Sequence, residues 1–183
     1  MKKTLRGFTL VELLVVIAII AILSSMIIGG FRSSQRRSRD AARKSDLKQI
    51  ANALEMIYSD HQRYPSSDAN GHILACDYLP ANPGGSDLCE FGVVSEDNIM
   101  SDGNTTYMRS IPGDPAGGDY FYRSVNGGAG FQIFAHLENS EDQSCVADNC
   151  SANIGIGSTI ILCGGTLNCN FAVTSPNVSP TEP

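Results

Sequence analysis

One carboxylate interrupts an apolar run over residues 8–28, and this run constrains the chain more than any other segment does. Its polar members are Thr9, Glu12, Ser24 and Ser25. A helix of this length, at a rise of about 1.5 Å per residue, spans roughly 30 Å, the thickness of one bilayer core. The run therefore predicts a membrane-spanning helix. An acid inside such a span is costly unless it has a partner, so we expect Glu12 to have one.

The helical pattern continues beyond the apolar run. Residues 31–59 contain neither proline nor glycine, and their apolar residues repeat at intervals of three and four: Leu47, Ile50, Ala51, Leu54, Ile57 and Tyr58. This spacing places the apolar residues on one face of a helix. We therefore predict one helix over residues 8–59, whose second half, 29–59, is amphipathic. Gly29-Gly30 between the halves would allow either a local bend or close helix packing.

The residues at the start of the apolar run form a specific signature. A short basic leader ends in Gly7, Phe8 and Thr9 follow, and Glu12 is the fifth residue counted from Phe8. This combination resembles the prepilin signature of type IV pilins and type II secretion pseudopilins. The resemblance implies that residues 1–7 are a leader, that a prepilin peptidase cuts between Gly7 and Phe8, and that Phe8 is then N-methylated. It also implies that Glu12 neutralises the new N-terminal charge of a neighbouring copy during assembly.

The same resemblance implies a function, a location and a set of partners. It favours a structural subunit that polymerises into a type IV pilus filament, with a type II secretion pseudopilin as the alternative and a minor tip adhesin third. The expected partners are other copies of the chain, prepilin peptidase, the assembly platform with its ATPase, and membrane lipid before assembly. The precursor would lie in the inner membrane with its head outside, and the assembled filament would be extracellular. The rival outside the family is an exported, disulfide-rich binding protein with an ordinary anchor or a signal peptide cleaved near Ser25.

Charge is distributed unevenly along the chain. Residues 1–50 carry ten basic and three acidic residues, a balance of +7, whereas residues 51–183 carry three basic and sixteen acidic residues, a balance of −13. The acidic part would repel phosphate, so no nucleic-acid partner is predicted there. The basic stem, residues 31–48, suits contact with solvent or with the acidic heads of other copies. Its charge conflicts with the positive-inside rule for an external head, but the cysteines and the cleavage signature favour that orientation.

The head, which follows the helix, changes character at about residue 119. Prolines and glycines punctuate residues 60–118, which predicts loops. Residues 119–125 and 131–137 flank a glycine-rich turn and predict a β-hairpin. Four residues of the second strand would face the helix: Phe131, Ile133, Ala135 and Leu137.

Two further strands are expected at residues 158–162 and 170–174, which gives an antiparallel sheet with disulfide clips over residues 119–174. The final residues, 175–183, are expected to be a flexible tail. The predicted fold is thus α+β and pilin-like, with a long N-terminal helix, transmembrane in its first half, packed on a small antiparallel sheet.

All six cysteines lie in the head: Cys76, Cys89, Cys145, Cys150, Cys163 and Cys169. An even number in a loop-rich segment after an export signal predicts disulfides. Pairing of nearest neighbours would close three local loops, and each bridge would stabilise the fold by roughly 2–4 kcal/mol. Zinc is the alternative, although no Cys-x-x-Cys spacing occurs.

No cofactor, metal or catalytic residue is predicted. The sequence contains no nucleophile elbow, no HExxH and no phosphate-binding loop. Residues 111–122, IPGDPAGGDYFY, resemble the approach to the sheet in major pseudopilins, which continue into a calcium loop rich in Asp and Gly. Here a plain hairpin follows, and Asp114 and Asp119 across a Pro-Gly turn are more typical of a solvated loop than of a calcium site.

Overall fold

The structure is a computed structural model of the chain. It describes residues 7–76, 88–95, 98–146, 150, 154–156, 159–165 and 167–181, apart from the side chains of residues 25–30. Residues 1–6 of the predicted leader therefore lie outside the described residues.

One helix, α1, runs from Leu10 to His61. Its 52 residues correspond to a length of about 78 Å. Thr9 is the N-cap, and Gln62 ends the helix in the left-handed conformation, where its backbone N–H donates to the Tyr58 carbonyl. The helix is continuous across Gly29-Gly30, which confirms the single long helix expected from the sequence. In the part of α1 whose side chains are described, which leaves out residues 25–30, no stretch is long and apolar enough to cross a membrane.

Short strands follow α1 in the described part of the head. Their bounds are β1 (Ser66–Ser67), β2 (Ile73–Leu74), β3 (Met100–Ser101), β4 (Thr106–Met108), β5 (Phe121–Val125), β6 (Gly130–Ala135), β7 (Gly155–Ile156), β8 (Thr159–Ile160), β9 (Leu162–Cys163), β10 (Leu167–Asn168) and β11 (Phe171–Thr174).

The largest sheet has three antiparallel strands in the order β11-β6-β5. The predicted hairpin forms β5 and β6, with Phe121 opposite Phe134 and Val125 opposite Gly130. Its turn places Asn126, Gly127 and Gly128 at positive φ, which glycine adopts without steric cost and asparagine tolerates well. The hairpin was predictable because a glycine-rich turn separates two runs of β-forming residues.

The central strand β6 is buried along its whole length because both of its faces are covered. Phe131, Ile133 and Ala135 face α1, as predicted, and join the apolar face of the helix in the main core. Five residues of that helical face are almost fully buried: Leu47, Ile50, Ala53, Leu54 and Ile57. Burial of each Leu or Ile side chain contributes roughly 1.5–3 kcal/mol, so these contacts fix the head on the second half of α1.

A second, smaller core covers the opposite face of the sheet. Phe134 of β6 packs there with Ile154, Ile161, Cys163 and Cys169. Cys163 belongs to β9, and the other three residues lie next to the ends of the C-terminal ribbons β7–β8 and β9–β10, which pair separately from the main sheet. The segment expected to add a strand at residues 158–162 therefore does not join the main sheet; its described residues form β8 and the start of β9.

The predicted strand at residues 170–174 does join the sheet, as β11 at the edge of β6. The described residues between 60 and 118 contain two short ribbons where only loops were predicted, because β1 pairs with β2 and β3 pairs with β4. Ribbons of only two or three residues per strand carry little periodic signal, so proline and glycine content dominated the prediction there.

Three disulfides close local loops of the head. They join Cys76 to Cys89, Cys145 to Cys150, and Cys163 to Cys169. These are the nearest-neighbour pairs expected from the sequence, and no cysteine is free.

The start of the predicted flexible tail folds back on the sheet. The Ser175 hydroxyl accepts a hydrogen bond from the Phe131 N–H, and the Gln132 side chain donates to the Ser179 carbonyl at 2.7 Å. Val178 is buried, and a Cβ added at Gly130 would lie 2.3 Å from its Cγ2 atom. This part of the chain is therefore packed on the sheet, in contrast to the flexible tail that was predicted. The packing depends on Gly130 of β6, and sequence pattern alone does not connect that residue to Val178.

Candidate functional site

The N-terminal signature is organised around the first turn of α1. The Glu12 carboxylate accepts hydrogen bonds from the backbone N–H and the hydroxyl of Thr9, each at 2.8 Å. The Thr9 hydroxyl oxygen in turn accepts a bond from the Glu12 N–H, so the two residues form a capping box. Both bonds to the carboxylate end on Oε2. Glu12 thus has a local partner within the chain, which the sequence analysis did not anticipate.

The residues around this cap are exposed. Gly7 and Phe8 precede the helix, and the Phe8 side chain is 86% exposed. From the first turn to Leu23, the large apolar side chains remain about half exposed or more on every side of the helix: Leu10, Val11, Leu13, Leu14, Val15, Val16, Ile17, Ile19, Ile20, Ile22 and Leu23. A continuous apolar surface of this extent is typical of a segment that contacts lipid or other protein.

The basic stem meets the head in a buried ion cluster centred on Arg43, whose side chain is 2% exposed. Its guanidinium donates two hydrogen bonds to the Asp114 carboxylate, from Nε to Oδ2 at 2.6 Å and from Nη2 to Oδ1 at 2.8 Å. Its Nη1 atom contacts Asp40 Oδ1 at 2.8 Å and Glu138 Oε1 at 2.9 Å. Burial opposes this charge, but the bonds to the three carboxylates outweigh it and raise the pKa of Arg43. The cluster ties α1 to two separate segments of the head.

Arg39 and Lys44 extend the cluster along the helix. Arg39 pairs with Glu138, and the distance from Nε to Oε1 is 2.7 Å. The bonds from Arg39 and Arg43 lower the pKa of Glu138 to about 2, although burial alone would raise it. Lys44 binds both oxygens of Asp142 at 2.6 and 2.7 Å. Burial raises the pKa of Asp142, but the bonds from Lys44 and Ser144 outweigh it and lower the pKa to about 2.

Asp40 completes the junction from the helix side. Its two carboxylate oxygens accept the backbone N–H groups of Glu138 and Asn139, each at 2.9 Å. Acidic and basic side chains of α1 therefore both bind the segment after β6. The sequence analysis expected the basic stem to face solvent or the heads of other copies. Four of its basic residues instead pair with acids of their own head: Arg37 with Glu141, Arg39 and Arg43 as above, and Lys44 with Asp142.

Asp114 does not have the surroundings of a calcium ligand. Both of its oxygens bind Arg43, and Oδ1 also accepts the Ala116 N–H. Across the described residues, no group of three or more His, Cys, Asp or Glu side chains is placed to hold a metal ion. The positively charged side chain of Arg43 occupies the coordination positions that a cation at Asp114 would need.

Comparisons with known proteins match both the signature and the head. A family model described as the prokaryotic N-terminal methylation motif matches residues 2–28. The type II secretion system core protein G of Vibrio cholerae serotype O1 is 29% identical over 136 residues, 73% of this chain and 82% of the relative. The protein of the same name from Klebsiella michiganensis is 30% identical over 119 residues, 65% of this chain and 73% of the relative. The chain belongs to the type IV pilin and type II secretion pseudopilin family.

Other relatives carry the same name. The type II secretion system core protein G of Escherichia coli strain K12 is 30% identical over 116 residues, 63% of this chain and 69% of the relative. No solved structure matches the chain. Members of this pseudopilin family are structural subunits, and the chain is accordingly a structural protein and not an enzyme, as predicted.

Sequence analysis found the residues of the N-terminal signature but missed the ion cluster around Arg43. The signature at Gly7, Phe8 and Glu12 is a local pattern, and the structure brings these residues together at the exposed start of α1. The Arg43 cluster was missed because its partners Asp114 and Glu138 lie 71 and 95 positions away in the sequence. One signal was available: Asp40 and Arg43 are three residues apart, a spacing that places them together on a helix.

Proposed function

We propose that the chain is a core pseudopilin, a subunit that polymerises into the pseudopilus of a type II secretion system. The observation that carries this proposal is the extent of the similarity to core protein G, which spans 116–136 residues in the relatives named above and so reaches well beyond the N-terminal signature. The sequence analysis ranked a type IV pilus subunit first and a pseudopilin as the alternative. The relatives favour the alternative, and they give no support to an extracellular pilus filament.

Maturation would occur at the exposed start of α1. A prepilin peptidase would cut between Gly7 and Phe8 and methylate the new amino group of Phe8. The accessibility of the bond supports this step, since Gly7 and Phe8 lie before the N-cap and both are exposed. Cleavage leaves Thr9 as the second residue of the mature chain, so the capping box with Glu12 is retained.

Glu12 would then compensate charge between copies. Only Oε2 of its carboxylate takes part in the capping bonds, and the described residues give Oε1 no partner. The α-ammonium of Phe8 from a neighbouring copy can therefore approach Oε1 without breaking the cap. In an apolar bundle of helices, removal of one member of such a pair leaves an uncompensated charge, which typically costs about 3–5 kcal/mol. This cost would set the axial register of the subunits.

The apolar first half of α1 would contact lipid in the precursor and the helices of other copies after assembly. Its side chains are exposed on every side, so one head cannot cover them. The head would lie in the periplasm, where an oxidising environment allows its three disulfides to persist. An assembly platform and its ATPase would move the subunit from the membrane into the pseudopilus.

Mass spectrometry of the mature N-terminus tests maturation. The chain is expressed with and without prepilin peptidase, and the expected product begins with N-methylated Phe8 only when the peptidase is present. Gly7→Leu is the matched control, because the bulky residue should block the cut without touching the helix. A product beginning near Ser25 with either variant would show an ordinary signal peptide and refute the proposal.

A genetic experiment separates the pseudopilus from a pilus. Loss of the chain should abolish protein export into the medium and leave any surface pili unchanged, and Glu12→Ala should reproduce the export defect. Loss of surface pili with normal export would support the pilus subunit instead.

A further inference from the structure

Four arginines lie along one face of α1 where it leaves the head: Arg32, Arg36, Arg39 and Arg43. Their spacings of four, three and four residues place them on a single stripe, since side chains three or four apart share a helix face. The inner two, Arg39 and Arg43, are paired with carboxylates of the head. The outer two, Arg32 and Arg36, are exposed and have no hydrogen-bond or ion-pair partner in the described part of the chain.

Arg32 and Arg36 line a cavity with groups that suit a phosphate. The cavity has a volume of 220 Å³ and is also lined by Ser33, Ser140 and Asn139. Two planar guanidinium groups, with hydroxyl and amide donors beside them, match the several oxygens of a phosphate. Glu138 also borders the cavity, but Arg39 and Arg43 already neutralise it, so the local charge remains positive.

The position of this cavity along α1 indicates the source of the phosphate. Arg32 follows directly after Phe31, at the end of the apolar half of the helix. The 22 residues from Leu10 to Phe31 span about 33 Å in a helix, close to the thickness of a bilayer core. With Leu10 at the cytoplasmic side of the core, the cavity lies at the level of the lipid headgroups on the outer side.

We propose that Arg32 and Arg36 bind the phosphate of an anionic phospholipid in the periplasmic leaflet and so hold the precursor at a fixed depth in the membrane. This inference rests on the membrane anchoring under the proposed function and goes beyond it. It also explains why basic residues follow the apolar run on the side where the positive-inside rule does not expect them. The head pairs with Arg37, Arg39, Arg43 and Lys44, and lipid pairs with Arg32 and Arg36.

Acidic groups of the same head do not compete for these two arginines. Three described carboxylates lie beside this end of the head: Glu138 and Asp142 are bound by Arg39, Arg43 and Lys44, and Glu141 pairs with Arg37 at 3.7 Å. Lipid headgroups, in contrast, are adjacent to Arg32 throughout the life of the precursor.

Tryptophan quenching measures which lipid contacts this site. The chain contains no tryptophan, so Phe31→Trp introduces a unique probe at an exposed position next to Arg32. The full-length precursor carrying this probe is reconstituted in vesicles of phosphatidylcholine and phosphatidylglycerol, with one of the two lipids brominated in each experiment. The ratio of quenching gives the binding constant of phosphatidylglycerol relative to phosphatidylcholine.

The decisive variant is R32Q/R36Q in the same background. Each basic residue near an anionic surface contributes about a fivefold preference, so the double change should lower the relative binding constant by up to about 25-fold, and the effect should weaken with added salt. The control is K48Q/R109Q, which removes the same charge from two exposed residues elsewhere. Lys48 lies about 24 Å beyond Arg32 along α1, more than two Debye lengths, so the control should retain the preference.

Four outcomes would overturn the proposal. The first is that the probe protein and R32Q/R36Q both float with the vesicles and show the same preference for phosphatidylglycerol. This refutes lipid binding by Arg32 and Arg36 and leaves membrane anchoring intact. Displacement of the lipid by inorganic phosphate at equal phosphate concentration assigns the site to free phosphate. Tryptophan emission that depends on the protein-to-lipid ratio, without lipid preference, assigns the arginines to acids of a second copy. A precursor that does not float with either vesicle refutes the anchoring and the lipid site together.

Discussion

Replacement of Arg43 by methionine tests whether the ion cluster fixes the head on the helix. Methionine keeps much of the length of the side chain and its apolar stem but removes the guanidinium. The change takes two bonds from Asp114 and one each from Asp40 and Glu138. Asp40 and Asp114 have side chains only 2% and 10% exposed, so water cannot replace what they lose.

The expected loss in the free energy of unfolding is about 3–5 kcal/mol at pH 7, because breaking a buried pair leaves uncompensated charge. Arg43→Lys should lose less, since an ammonium keeps the charge but cannot form the two parallel bonds to Asp114. Arg109→Gln is the control, because Arg109 is exposed and surface changes usually stay within about 0.5 kcal/mol.

Urea unfolding of the full chain in detergent measures these differences, with the near-ultraviolet circular dichroism of the tyrosines as the signal. The cost of Arg43→Met should shrink as the pH falls toward about 3, because Glu138, whose pKa the bonds from Arg39 and Arg43 lower to about 2, takes up a proton more readily once Arg43 is absent. A loss below about 1 kcal/mol at pH 7, or an equal loss at both pH values, would contradict the assignment of Arg43 as the centre of the junction.

Three further predictions concern other parts of the molecule. The pKa of Glu138 is about 2 in the folded protein, below the ordinary value of 4.5, so its stabilising contribution is complete above about pH 4.5 and is lost as the pH falls toward 2. Glu138→Gln should flatten this part of a stability-against-pH curve. Cys76→Ala/Cys89→Ala should lower the free energy of unfolding by roughly 3 kcal/mol in the oxidised protein and leave the reduced protein unchanged, as measured with and without reductant. Glu12→Gln should retain the oxygen that accepts from Thr9 but lose the charge, so circular dichroism should show an intact helix while protein export into the medium falls as far as in Glu12→Ala; normal export would exclude charge compensation.

Local patterns carried most of the correct predictions. The apolar face at Leu47, Ile50 and Leu54 follows directly from helical spacing, and the hairpin follows from alternation around a glycine-rich turn. The cysteine pairs were predictable because neighbouring cysteines in a loop-rich segment need little chain ordering to meet. In each case, residues close in the sequence determine the structure.

Long-range contacts account for what could not be predicted. The basic stem pairs with its own head through Asp114, Glu138 and Asp142, and nothing in the spacing of these acids distinguishes them from solvated ones. The burial of Val178 against Gly130 likewise depends on the completed sheet. Short ribbons such as β1–β2 have too few residues for periodicity to show.

The three disulfides each join cysteines no more than 13 positions apart. A chain that emerges N-terminus first can therefore close each bridge before the next pair has arrived. Oxidation would proceed in the order of synthesis and would produce few wrong pairs for an isomerase to correct. The exterior of the head would then be a series of independently sealed loops, each free to change in length or composition without disturbing the others.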